Sequence, residues 1–248
     1  MPKKRRAVSV GRTPTKDGRP QNRLLSLLPD EDFRYLRPHL TTVPVHARQV
    51  FYKAGERLRH VYFLNGGLCS LTAVLSSGAR VEAVTIGNVG FVGIEAFLSD
   101  EAVSMSEAIM QVPDTDAERL SVEAFRRAVA ERPALHAAAG RYLQFLIGQM
   151  IQTMGCNVRH GVRERCVRWL LMAHDRMHRK DFVLSHEFLA EMLGVSRSTV
   201  SEVAGKLQAA GFIRYSHGRV TVVDRKGLEA ASCECYAVIR AHFDRLRQ

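Results

Sequence analysis

Apolar and polar positions follow one texture in the first half of the chain and another in the second. "PDEDFRYLRPHL" predicts a short helix, with Asp30 as cap and Asp32 in its first turn. After it come "TVPVHARQVFY", "HVYFLNGGLCSLTAVL" and "ARVEAVTIG", short apolar or alternating runs punctuated by Gly55, Asn65 to Gly67, Ser76 to Gly78 and Gly87. Runs of this kind predict antiparallel strands in a β-roll or jelly roll. "SSGARVEA" reads as a hairpin loop, with Gly78 where positive φ is tolerated. "EAIMQVP" supplies one more strand before Pro113.

From Ser121 the period becomes helical. "SVEAFRRAVAERP" has Ser121 as cap and Val122, Phe125 and Val129 on one face. Pro133 opens a second helix, "ALHAAAGRYLQFLIGQMIQTMGCNV". It carries two adjoining apolar stripes: Leu143, Ile147, Met150 and Met154, and Leu135, Ala139, Tyr142 and Leu146. A helix with two apolar stripes needs two partners. The chain's own domain can take one and a second copy of the helix the other. Gly140, Gly148 and Gly155 permit close backbone approach but cost about 1 kcal/mol each relative to Ala, so a compensating contact is expected. The first stripe is therefore the expected seam of a homodimer, with a buried helix inside a monomer as the other reading.

"VRERCVRWLLMAHDRMH" is a further helix, and "FVLSHEF" brings a short strand and then Ser185 as a cap. "LAEMLGVSRSTVSEVAGKLQAAGFI" predicts two short helices around a turn. Ala190 is small enough for the helices to cross, and Gly194 can adopt the left-handed conformation of the turn. Val195 fills the corner and Ser196 caps the second helix. Val200, Val203 and Leu207 form its apolar face. Ser198, Ser201, Glu202, Gly205 and Lys206 point the other way, with Arg197 at the exposed N-terminal end. Such a helix, held on one side and polar on the other, suits a major groove. Gly211 ends it, and "FIRYSHGRVTVV" is a hairpin with His217 and Gly218 at its tip, a wing from which Arg214 and Arg219 can reach phosphates. The expected DNA-contacting residues are Ser196, Arg197, Ser198, Ser201, Glu202, Lys206 and Arg219. The other reading is an interaction scaffold that uses the winged helix for protein contacts. The acidic Glu202 on the reading face favours it, although Glu can accept from cytosine N4.

Charge supports the first reading. The 248 residues carry a formal net charge of +11, with the excess at the two ends: +7 over residues 1–23, −1 over 24–162 and +5 over 163–248. Basic ends attract nucleic acid or an anionic membrane surface. A hydrophobic content of 46% is enough to bury a real core. No apolar run reaches the roughly 18 residues of a membrane span. "MPKKRRAVSVGRTPTKDGRPQNR" has no apolar core and does not read as a secretory signal. Its "KKRR" reads as a solvated tail, with a nuclear address or a DNA-contacting arm as alternatives. The odd, scattered cysteines (Cys69, Cys156, Cys166, Cys233 and Cys235) read as reduced thiols in a cytoplasm.

The expected architecture is thus α+β. A basic tail spans 1–22, an N-terminal antiparallel β-roll sensor domain 23–132, a long dimerisation helix 133–161, and a C-terminal winged helix-turn-helix DNA-binding domain 162–248. Over about residues 24–230 the chain resembles the Crp/Fnr superfamily of bacterial transcription regulators, through "YKAGE", "VYFLNGGLCSL" and above all "LAEMLGVSRSTVSEVAGKLQAAGFIRYSHGRVTVV". The resemblance implies a homodimer on a two-fold symmetric DNA site, with RNA polymerase as a further partner. Arg197 and Ser201 match positions that the family uses for DNA. Ser198 stands where Glu is usual and Glu202 where Arg is usual, so the family's better-known half-site does not carry over.

The resemblance also suggests ligands, and the residues argue against them. The family's cyclic-nucleotide members hold phosphate with a Gly-Glu pair and a later Arg-Ser pair. Here Gly93 is present, Glu95 is displaced by one, and no Arg or Lys lies between Arg80 and Arg119. A buried phosphate without a cation is poorly compensated, so cyclic AMP is not expected. Met150 and Ile151 stand roughly where adenine-contacting hydroxyls would be. The iron–sulfur members carry an N-terminal cysteine cluster, whereas the first cysteine here is Cys69, so that cofactor is not expected either. Cys233 and Cys235 form a C-x-C, half a metal site at best, that reads as plain reduced thiols with a redox switch as the alternative, and His174 and His178 read as surface histidines without a third ligand, so no metal is expected. No nucleophile elbow, zinc-protease motif or phosphate loop is present, so no enzyme is expected.

Overall fold

The computed structural model describes residues 18–113, 116–177 and 180–246. Most of the basic tail and His178 lie outside the described residues. Two short helices come first, α1 (Arg23–Ser26) and α2 (Asp30–Leu36). Asn22 caps α1, accepting from the amide of Leu25. Asp30 does not cap α2 as expected, because its carboxylate pairs with Arg19 and the cap position is Pro29.

Strands β1 (Thr41–Pro44), β2 (Val50–Tyr52), β3 (His60–Leu64), β4 (Leu68–Val74) and β5 (Arg80–Ile86) follow, then helix α3 (Glu95–Leu98) and strands β6 (Glu107–Val112) and β7 (Asp116–Ser121). They form two antiparallel sheets, ordered β1-β7-β3 and β2-β6-β4-β5. Both sheets feed one core around Phe63, Phe91, Phe125 and Tyr142. The Phe91 ring stands 5.0 Å from Phe125 and 5.3 Å from Tyr142. Gly90 makes room for this cluster, since a Cβ there would lie 2.0 Å from the Tyr142 ring.

Strand β7 pairs with both of its neighbours, yet its charged sequence conceals it from an apolar pattern. Glu118 is buried there because its carboxylate accepts from Thr42 at 2.9 Å and from Asn65 at 3.3 Å.

Helices α4 (Val122–Glu131) and α5 (Pro133–Arg159) come next. Ser121 caps α4 as expected. The C-terminal part holds α6 (Val162–Arg176), β8 (Asp181–Val183), α7 (His186–Leu193), α8 (Arg197–Ala209), β9 (Ile213–Ser216), β10 (Arg219–Val222), α9 (Arg225–Ala230) and α10 (Glu234–Leu246). Its small sheet has the order β8-β10-β9. A second core, centred on Trp169, joins α6, α7 and α8 to the strands.

The two halves meet through polar contacts. Trp169 donates to the buried Glu82 carboxylate at 3.1 Å. Arg80 bridges Glu107 at 2.6 Å and Glu191 of α7 at 3.2 Å. Helix α10 then runs back along α5 and α6, placing Phe243 in the first core.

Gly194 shows how locally the helix-turn-helix is written. Its φ is +65°, and an added Cβ would meet nothing within 4 Å. The cost of a side chain there is therefore backbone strain alone. Gly194→Ala is expected to lower stability by about 1–2 kcal/mol. Urea unfolding checks this, and a midpoint equal to that of the wild type would show that the turn does not require the left-handed conformation.

Candidate nucleic-acid interface and dimer face

Helix α7 ends in a pair of hydrogen bonds that wrap the chain around Gly194. Val195 N–H donates to Ala190 at 3.0 Å and Gly194 N–H to Glu191 at 3.3 Å. Ser196 then starts α8, its hydroxyl accepting from the Thr199 amide at 3.2 Å. Val200, Val203 and Leu207 are buried against the second core. Arg197, Ser198, Ser201, Glu202, Gly205 and Lys206 are all exposed. At the far end the same two-bond pattern recurs around Gly211, with Phe212 N–H on Leu207 at 3.1 Å and Gly211 N–H on Gln208 at 2.9 Å. His217 and Gly218, both at positive φ, turn β9 into β10 as the wing.

Each basic residue expected to contact DNA on α8 and β10 has an acidic neighbour. Arg197 pairs with Glu187 at 2.9 Å, Lys206 with Glu202 at 2.6 Å, and Arg219 with Asp181. The hydrogen bond from Lys206 holds the Glu202 carboxyl below its usual range. These pairs are exposed, so each is weak and opens readily for a phosphate or a base. Arg214 is exposed on β9.

Two residues of this surface went unnoticed in the sequence. His186 lies 2.8 Å from the Ser201 hydroxyl and its ring sits 4.2 Å from Tyr215. Tyr215 in turn donates to the Leu184 carbonyl at 2.6 Å. Burial lowers the His186 pKa, favouring its neutral form. No local spacing announces this contact, because it joins three elements. Ser196 has its hydroxyl engaged by the cap and by Ser198 at 2.7 Å.

On α5, Leu135, Ala139, Tyr142 and Leu146 are buried in the chain's own core. Ile147 (45% exposed) and Met154 (67%) lie open, joined by Ile151 (63%) and Val158 (79%). Leu143 and Met150 are partly buried against the first core, at the edge of this face. The open apolar face is thus rotated from the expected stripe toward Ile151 and Val158. Gly140, Gly148 and Gly155 have open space where a Cβ would stand.

Within the β-roll, Gly93 has a φ of +104° and Glu95 is buried. The Glu95 carboxylate accepts from Ser104 at 2.7 Å and Tyr52 at 3.3 Å. Arg126 approaches α3 from α4, but its guanidinium is held by the carbonyls of Ala96 and Ser99. Burial and the positive Arg225 beside it lower the pKa of His174.

Cys233 and Cys235 are more than the half site expected. Cys156 and His160, at the end of α5, bring two further donors, and all four ligand atoms lie within 4.8 Å of one another. The C-x-C and the Cys156–His160 pair stand too far apart in the chain to be connected by spacing.

Residues 164–231 match the model of the Crp-like helix-turn-helix domain. The transcriptional regulator SdrP of Thermus thermophilus is 27% identical over 205 residues, which cover 73% of this chain and 92% of that protein. The global nitrogen regulator of Synechococcus elongatus is 25% identical over 179 residues, covering 68% of this chain and 79% of that protein. The crystal structure of a CRP-family transcriptional regulator from Thermus thermophilus shares the fold, with a TM-score of 0.63 at 24% identity over 77% of this chain and 96% of that one. Among the described residues no helix is long and apolar enough to cross a membrane. The matched segment is thus a Crp-like helix-turn-helix domain, and the curated proteins that the chain resembles are transcriptional regulators.

Proposed function

We propose that this chain is a transcriptional regulator of the Crp/Fnr type, a homodimer that reads a two-fold symmetric duplex site with α8 and grips the flanking phosphates from its wing. The observation that carries the reading is α8 itself, with one face buried and the opposite face polar, beside a wing bearing Arg214 and Arg219. In a dimer joined through the open face of α5, two copies of α8 would serve two half-sites. RNA polymerase is the further partner such a regulator implies.

Titration of labelled random duplex at two salt concentrations tests DNA binding. A regulator of this kind loses affinity steeply as salt rises, because each neutralised phosphate releases counterions. Affinity independent of salt would favour the scaffold reading, which Glu202 on the reading face supports. Lys206, farther along α8 than Arg197, is assigned to phosphate. Lys206→Ala is expected to weaken all sequences alike and to reduce the salt slope by about one unit. An unchanged slope would remove Lys206 from the interface.

We further propose that the β-roll does not take cyclic AMP. The buried Glu95 is occupied by Ser104 and Tyr52, and the nearby Arg126 is held by backbone carbonyls. Calorimetry is expected to show no binding, and a micromolar dissociation constant would refute the proposal.

A further inference from the structure

We infer that Cys156, His160, Cys233 and Cys235 form a mononuclear Cys3His site for a soft divalent cation, zinc(II) foremost. The inference does not depend on DNA binding. Two edges of the cluster fit a tetrahedron around one ion, and all four donor atoms lie within 4.8 Å of one another. Cys156 Sγ lies 3.6 Å from Cys233 Sγ, and Cys235 Sγ lies 3.6 Å from His160 Nδ1. Zinc–sulfur bonds of about 2.3 Å and zinc–nitrogen bonds of about 2.1 Å give tetrahedral edges of about 3.8 Å between sulfurs and about 3.6 Å between sulfur and nitrogen.

Two backbone devices present the ligands. Cys156 and His160 are four residues apart, and the His160 amide still donates to the Cys156 carbonyl at 3.0 Å, so both side chains leave one face of the helix end. Cys233 and Cys235 flank Glu234 where α10 begins. The three thiols are buried and form a small cluster of their own.

The surroundings suit a metal as well. His160 Nε2 lies 3.3 Å from the Glu234 carboxylate, which leaves Nδ1 for the ion, the arrangement that orients metal-bound histidines. Gln152 donates to Cys235 Sγ at 3.0 Å. Three thiolates and a divalent ion sum to one negative charge. Buried Arg168 of α6, which donates to Thr153 on α5 beside Cys156 and has no hydrogen-bond partner at Nε, acts on Cys156 and offsets it. Without an ion, burial pushes the Cys156 thiol up to about 12 and the Cys233 thiol upward too. Binding then exchanges three thiol protons, released to solvent, for one cation, and no oxidant is involved.

Sulfur and imidazole donors disfavour magnesium and calcium, which take oxygen. An iron–sulfur cluster would need its thiolates spread over several metal atoms, whereas these four donor atoms lie within 4.8 Å of one another. Once filled, the site would fasten α10 to the end of α5, next to the junction with α6.

The test uses the full chain, reduced, stripped with a chelator and titrated with cobalt(II). We expect one equivalent to bind, with the intense visible absorption of tetrahedral cobalt and a sulfur-to-cobalt charge-transfer band, both displaced by zinc(II). Cys233→Ser and Cys235→Ser should each weaken cobalt binding by at least about 100-fold, and Glu234→Gln by about 10-fold with the spectrum retained. Cys166→Ala, outside the cluster, should leave binding unchanged. The wild-type spectrum is decisive even if a variant fails to fold. Wild-type protein that takes up no cobalt while keeping its near-UV circular dichroism would overturn the inference. So would an octahedral spectrum, a Cys156–Cys233 disulfide under reducing conditions, or full tetrahedral binding by the Cys233→Ser, Cys235→Ser double variant.

Discussion

Ile147→Asp is expected to turn a dimer at micromolar concentration into a monomer. Ile147 stands in the open apolar row of α5 with Ile151, Met154 and Val158, beside glycines that allow close approach. In a symmetric seam the substitution acts twice. Each copy loses apolar burial and forces a carboxylate out of water opposite its twin, at a combined cost of at least about 4 kcal/mol. That corresponds to a dissociation constant about a thousandfold higher. The monomer should keep its fold, since the side chain is 45% exposed within its own chain. Sedimentation velocity measures the outcome, with Ile147→Leu as a control that should remain dimeric. An unchanged mass for Ile147→Asp would place the seam elsewhere.

Arg197→Ala should produce the largest loss of sequence discrimination. Arg197 lies in the first turn of α8, where the fold brings side chains to base edges, and its exposed pairing with Glu187 is cheap to release. A guanidinium bonded to guanine O6 and N7 is worth about 1–3 kcal/mol. A dimer makes the contact twice, so the full site should lose about 2–6 kcal/mol, while binding to unrelated duplex changes little. Relaxed preference at one base pair in each half-site is the accompanying signature. If the variant keeps the full preference of the wild type, another side chain reads that base pair.

These two residues differ in how openly the sequence displayed their settings. Around Arg197 everything is local: Gly194 turns the chain, Ser196 caps α8, and Val200, Val203 and Leu207 fix its inner face. Short-range rules therefore recovered the helix-turn-helix and its wing. On α5 the presence of two apolar faces was legible, but not their exact orientation. Leu143 and Met150 are drawn partly into the first core, so the open face turns toward Ile151 and Val158. Strand β7 was hidden for a different reason. Its buried Glu118 is satisfied by Thr42 and Asn65, partners more than fifty residues away. The return of α10 to α5, and with it the meeting of Cys156 and His160 with Cys233 and Cys235, is likewise long-range. Only the Cys233 and Cys235 half of the cluster was legible.

Selection of binding sites from random duplex DNA by the wild-type protein decides whether two copies of α8 read a symmetric site. The enriched sites should consist of two inverted half-sites whose centres lie about one helical turn, roughly 10–10.5 base pairs, apart. Recovered sequences no different from the starting pool, or a single motif without two-fold symmetry, would contradict it.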